Sequence, residues 1–121
     1  MQGLIAAVNA RHKAQLGFAA HVIEAPEGTA LPYNVVSIVS EIATYNFTST
    51  FERTIVQFDV YAVSKAAAIA GSEALKAAFD DCALTVPGYL FGKFERQFSQ
   101  PLKDGDAWRV IVQYVVELQK A

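Results

Sequence analysis

Between residues 108 and 118 the chain alternates, with Trp108, Val110, Val112, Tyr114, Val116 and Leu118 at even positions and Arg109, Ile111, Gln113, Val115 and Glu117 at odd ones. A period of two puts successive side chains on opposite faces of a strand, so the segment is predicted as a β-strand with one wholly apolar face. Its other face mixes charges with hydrophobes. The outer side of an antiparallel sheet ordinarily turns polar groups to water, so Ile111 and Val115 there predict a surface that another subunit covers. Residues 51–63 repeat the design. Val56, Phe58, Val60 and Ala62 share one side, against Arg53, Ile55, Gln57, Asp59 and Tyr61 on the other.

The period changes elsewhere. Leu4, Ile5, Val8 and His12 recur at helical spacing within residues 3–16, and Gly17 is placed to stop that helix. Residues 18–23 suggest a short edge strand, and Pro26, Gly28 and Pro32 mark residues 24–32 as a surface loop. Residues 33–40, rich in β-branched side chains, predict the first main strand, and residues 44–50 a polar hairpin loop. Ser64 is a helix cap for residues 65–80, an alanine-rich helix whose larger apolar groups are Ile69, Leu75 and Phe79. Asp80 and Asp81 sit at its C-terminal end, where the helix dipole disfavours negative charge. Val86-Pro87-Gly88 reads as a turn, residues 89–98 as a third strand and residues 100–106 as a polar loop before the closing strand. The order helix, strand, strand, helix, strand, strand predicts an α+β fold. It has an antiparallel sheet of about four strands with two helices packed on one face, and a single domain over residues 1–121.

Composition reinforces the expectation of a covered outer face. The 121 residues suffice to bury roughly two-thirds of the unfolded surface. Yet 53% are hydrophobic and 18% charged, against about 25% charged in typical soluble domains. Subunit interfaces are the natural place for such a surplus. Ten basic and twelve acidic residues give a net charge of −2 without a basic stripe, which argues against direct nucleic-acid binding. The first residues lack the basic start of a secretory signal, and no apolar run approaches the roughly 20 residues of a membrane-spanning helix, so a soluble chain is expected. The sequon at Asn46-Phe47-Thr48 is then a chance match.

Candidate chemistry is sparse. The lone Cys82 is expected to be a small buried hydrophobe, and His12 and His21 form no zinc-ligand spacing, being read as a partly exposed helix histidine and a strand-edge histidine. Gly88 to Lys93 superficially resembles a phosphate loop but is one residue short and is followed by Phe94 where a hydroxyl belongs. Gly71-Ser72 lies in a predicted helix and is no nucleophile elbow. Carboxylates Glu41, Glu52, Asp59 and Glu95 are more simply explained by cross-strand ion pairs with Arg53, Lys93, Arg96 and Arg109 than by acid–base catalysis. Catalytic, cofactor-binding and metal residues are therefore expected to be none. Tyr45, Phe47 and Phe51, aromatic groups around a polar hairpin tip, are candidate anchors for a partner.

Ala30-Leu31-Pro32-Tyr33 leads into a β-branched strand, residues 51–63 feed a helix opened by Ser64-Lys65-Ala66-Ala67, and Trp108-Arg109-Val110 begins a long final strand. In this order the chain resembles the tail completion and tail terminator proteins of long-tailed bacteriophages, from the first helix to Leu118. The resemblance implies a non-enzymatic structural protein of the virion neck, a homo-oligomer assembling into a hexameric ring at the head-proximal end of the tail tube. Such a ring ends tube polymerisation and performs head–tail joining, with the tail tube protein and the head connector or stopper as partners. Assembly takes place in the host cytoplasm, DNA passes without specific binding, and no membrane or cofactor is involved. On this chain the implied partner contacts are Thr44, Tyr45, Asn46, Phe47, Thr48, Lys103, Asp104 and Asp106. The implied interface or channel residues are Arg53, Ile55, Asp59, Arg109, Ile111, Val115 and Glu117. Two other readings stay open: a head-side connector or stopper, and a small dimeric α+β ligand-binding domain or enzyme.

Overall fold

The computed structural model describes residues 2–16, 19–22, 31–45, 50–86 and 88–120. In chain order these form α1 (Gln2–Gln15), β1 (Ala19–Val22), β2 (Tyr33–Tyr45), β3 (Thr50–Ala62), α2 (Lys65–Phe79), β4 (Ala83–Leu84), β5 (Tyr89–Asp104) and β6 (Ala107–Lys120). The strands make a curled six-stranded sheet in the order β1-β2-β3-β6-β5-β4. β1 runs parallel to β2, and every other neighbouring pair is antiparallel. The α+β class is as the sequence predicts, but the sheet is mixed and larger than four strands. β1, at one edge, falls within the short edge strand expected over residues 18–23, whereas β4 is too short to carry a periodic signal and its place at the other edge is decided by pairing alone.

Both helices lie on the face formed by even positions of β3 and β6. Val56, Phe58 and Val60 of β3 and Val112, Tyr114, Val116 and Leu118 of β6 share one buried cluster with Leu4 and Val8 of α1 and Ala68, Leu75 and Phe79 of α2. At its centre Phe58 lies 4.9 Å from Phe79, which lies 5.5 Å from Phe94, while Tyr114 meets Phe58 edge-on at 5.8 Å. Each such buried ring contributes about 1.5–3 kcal/mol of transfer free energy, with a further increment from ring–ring geometry.

The α2 helix begins as predicted, with Ser64 Oγ accepting from the Ala67 amide at 3.1 Å. Ala68, Ser72, Leu75, Ala78 and Phe79 form its buried stripe, whereas Ile69, another of its larger apolar groups, is 39% exposed. The carboxylate at the unfavourable helix end has its own partners. Tyr114 Oη donates to Asp80 Oδ1 at 2.6 Å, and Arg96 Nη2 lies 3.5 Å from Asp80 Oδ2. Asp81 takes φ 57°, the left-handed conformation that Asp tolerates better than most residues, and so turns the chain off the helix. Arg11 Nε donates to the Ala78 carbonyl at 2.6 Å, satisfying a free carbonyl of the last turn and fastening α1 to α2.

Two strand ends differ from expectation. β2 continues to Tyr45 and β3 starts at Thr50, so the predicted loop of residues 44–50 is shorter, and residues 46–49 lie outside the described part. β5 continues through residues 100–104, predicted as loop. Pro101 is tolerated there, opposite Val110, because β4 flanks β5 only at Gly92 and Lys93 and the rest is an edge strand. The turn into β6 is then only Gly105-Asp106, with Gly105 at φ 60°, as a II′ hairpin requires of its first central residue.

Candidate functional site

The helix-free face of the sheet collects the remaining chemistry. The register aligns Arg109, Tyr61 and Tyr33 in one row, Ile111, Asp59 and Val35 in the next, then Gln113, Gln57 and Ser37, then Val115 with Ile55, and Glu117 with Arg53. In the first row Tyr33 and Tyr61 stack at 5.0 Å, His21 of β1 meets Tyr33 edge-on at 5.9 Å, and the Arg109 guanidinium sits 6.0 Å over the Tyr61 ring. Further along, Gln113 Nε2 donates to Gln57 Oε1 at 2.7 Å, and Gln57 Nε2 donates to both Asp59 carboxylate oxygens at 3.1 Å. This relay lets Asp59 stay 7% exposed with its charge hydrogen-bonded. Arg53 and Glu117, both about half exposed, approach to 3.9 Å, a cross-strand pair of the kind predicted.

Each predicted interface residue falls on this face, though they differ in exposure. Arg53 and Glu117 are exposed, Ile55, Arg109 and Ile111 half-buried, and Asp59 and Val115 buried by their own chain. Val115 at 8% exposure leaves little area for a second subunit, so Ile111 is the apolar group of β6 with surface to offer. Tyr33, His21 and Gln113 join the face without having been singled out. Their alternation was visible, but their partners depend on register.

The predicted partner-contact residues divide between the two ends of the sheet. Thr44 and Tyr45 close β2 at the end where β3 begins, and Asn46, Phe47 and Thr48 lie outside the described residues. Lys103 and Asp104 close β5 at the opposite end, with Asp106 in the turn beyond. The end of β2 and the β5–β6 turn therefore lie at opposite ends of the sheet, because β2 and β5 run in opposite senses.

Groups with latent reactivity are sequestered. Cys82 is buried, and burial pushes its thiol above the usual range, the opposite of what a nucleophile needs. His12, expected partly exposed, is 1% exposed, and burial lowers its pKa. His21 lies on edge strand β1 as expected. Gly92, from the phosphate-loop lookalike, is paired within β5 to Leu84 and Leu118. Among the described residues no three His, Cys, Asp or Glu side chains gather as metal ligands, and no helix is long and apolar enough to cross a membrane. An apolar cavity of about 280 Å³ opens between Leu31, Pro32, Ala62, Val63, Ala67, Ala70 and Gly71, with no charged side chain in its lining.

An α+β fold emerges, with one sheet face sealed by its own helices and the other laid out as a patterned, charge-balanced surface. No family model matches this chain and no curated protein sequence does. Among solved structures it is similar to a chain from the virion of a native gene transfer agent particle. The TM-score is 0.75 at 17% identity, over 98% of this chain and 96% of that one. At this identity the likeness establishes a shared fold.

Proposed function

We propose that this chain is a structural, non-enzymatic protein of a phage-like virion, acting as a tail terminator. It forms a hexameric ring at the head-proximal end of the tail tube, stops tube growth and joins the tail to the head connector. The observation that carries this reading is the full-length likeness of fold to a chain of a gene transfer agent virion. The face chemistry supports it. Lys93, Arg53 and Arg109 on the helix-free side are matched by Asp59, Glu95 and Glu117, and a balanced lining does not hold passing DNA by its phosphates. The two hairpin ends at opposite poles of the sheet suit a subunit that meets the tube with one end and the connector with the other.

The experiment is deletion of the gene in a particle-producing strain, with electron microscopy of the products and immunogold labelling of wild-type particles. Overlong tails without heads, and gold at the head–tail junction, are expected. Normal-length tails joined to heads in the deletion strain would overturn the terminator role, and gold on the head side of the junction alone would favour a connector or stopper.

A further inference from the structure

We infer that the two open edges of the sheet are complementary halves of one contact between copies of this chain. β2 of one copy lies against β5 of the next, with Val39 and Phe98 close together along the seam. The inference rests on the ring reading and names the surfaces that close it. Among the described residues β1 covers β2 only at Tyr33 to Val36, leaving residues 37–45 without a neighbouring strand. On the far side β4 covers Gly92 and Lys93, and the Phe94 amide donates to the Cys82 carbonyl, leaving residues 95–104 open. Long open edges present rows of backbone donors and acceptors that seek a partner.

Three features select a second copy, and the opposite edge of it, as that partner. First, the β2–β3, β3–β6 and β6–β5 pairs are all antiparallel, so β2 and β5 run in opposite senses. A copy rotated about an axis along the strands brings β5 beside β2 in antiparallel fashion and continues the sheet's own pattern. Second, each edge carries a bulge, between Ile38 and Ser40 on β2 and between Arg96 and Phe98 on β5. The bulges lie on opposite sides of a single row of the sheet, Ile38, Val56, Tyr114 and Arg96, the β2 bulge toward the Ser40–Glu95 row and the β5 bulge toward the Ser37–Phe98 row, so the two irregularities are close in height. Third, large hydrophobic groups are exposed at these places, Val39 at 53% and Phe98 at 42%. A bulge ordinarily guards an edge against addition of a regular strand. Two bulges this close in height instead admit an edge bulged near the matching place and reject a straight one. Because the patches differ, the contact is heterologous and propagates around a ring.

Val39→Cys and Phe98→Cys, singly and together, test this in the full chain with a short bismaleimide as cross-linker, the native Cys82 being buried. The double variant is expected to give a ladder of covalent oligomers, and an equimolar mixture of the two single variants a covalent dimer that neither gives alone. Dimers from either single variant alone would mean that like edges meet, and would overturn the inference. Native mass spectrometry of the unmodified chain separates the two levels. Rings without a ladder would leave the ring reading standing and remove this contact, whereas neither rings nor a ladder would remove both. Circular dichroism of each variant, expected to match the parent, excludes misfolding, and Val39→Asp and Phe98→Glu provide a second readout. Each should lower the oligomeric fraction at least tenfold at fixed concentration, and unchanged assembly in both would overturn the inference.

Discussion

Val112 and Ile111 are neighbours on one strand, paired to neighbours on the next, yet they belong to different regions of the molecule. Val112 is 0% exposed beneath the helices, in a cluster that runs from Leu4 to Leu118, whereas Ile111 is half-buried on a face with no helix over it. The difference is one of completion. The helix-side face is finished by the chain itself, with aromatic rings packed edge to face and Asp80 bridged to Tyr114 and Arg96. The other face buries Val35, Asp59 and Val115, with Asp59 held by the Gln113–Gln57–Asp59 relay, but leaves Ile55 and Ile111 half-buried. Stability should therefore depend on one face and assembly on the other.

The sharpest way to break this contrast is Val112→Asp, which buries a carboxylate without a partner. A loss of about 3–5 kcal/mol or more is expected, a large share of the roughly 5–15 kcal/mol that keeps an ordinary domain folded, and circular dichroism and urea titration measure it. An equal loss from Ile111→Glu would make both faces core and end the comparison. Tyr114→Phe is next. Deleting the hydroxyl takes a donor from Asp80 at the helix end, and thermal denaturation should register about 1–3 kcal/mol.

His12 supplies a pH test of the helix-covered side. Burial lowers its pKa below the ordinary 6.5, so the folded state holds it neutral while the unfolded chain binds a proton more readily. Its contribution is present above pH 6.5 and is lost as pH falls from there through the lowered folded value, at no more than about 1.4 kcal/mol per pH unit. Urea unfolding between pH 7 and pH 5 should show a slope that His12→Gln flattens; a slope unchanged in the variant would assign it to other groups. Ile111→Glu, on the open face, should cost within about 1 kcal/mol of folding stability while lowering the oligomeric fraction measured by native mass spectrometry. Smallest of all, Arg53→Ala removes an exposed pair with Glu117 and should change stability by less than about 0.5 kcal/mol.

Much of the fold was legible because β-strand and helix periods are local. The faces of β3 and β6, the Ser64 cap and the core spacing of Leu4 and Val8 follow from side-chain direction along a single element, whereas the burial of His12 does not. The candidate surface was legible in part for the same reason. Ile111, Asp59 and Arg109 could be put on one face, but the stacking of Tyr33 on Tyr61 and the relay from Gln113 to Asp59 needed the register of three strands.

The sequence by itself determined the class of fold and the two-faced character of its long strands, since these depend on residue type and on repeats of two or 3.6. Tertiary structure alone decided that β5 runs through Pro101 at an edge left open among the described residues, that Val115 is buried from within, that Asp80 is matched by Tyr114 and Arg96, and that two bulges flank one row on opposite edges. Each of these joins residues far apart in the chain, and such contacts are fixed only when strands choose partners and register, which no local period encodes.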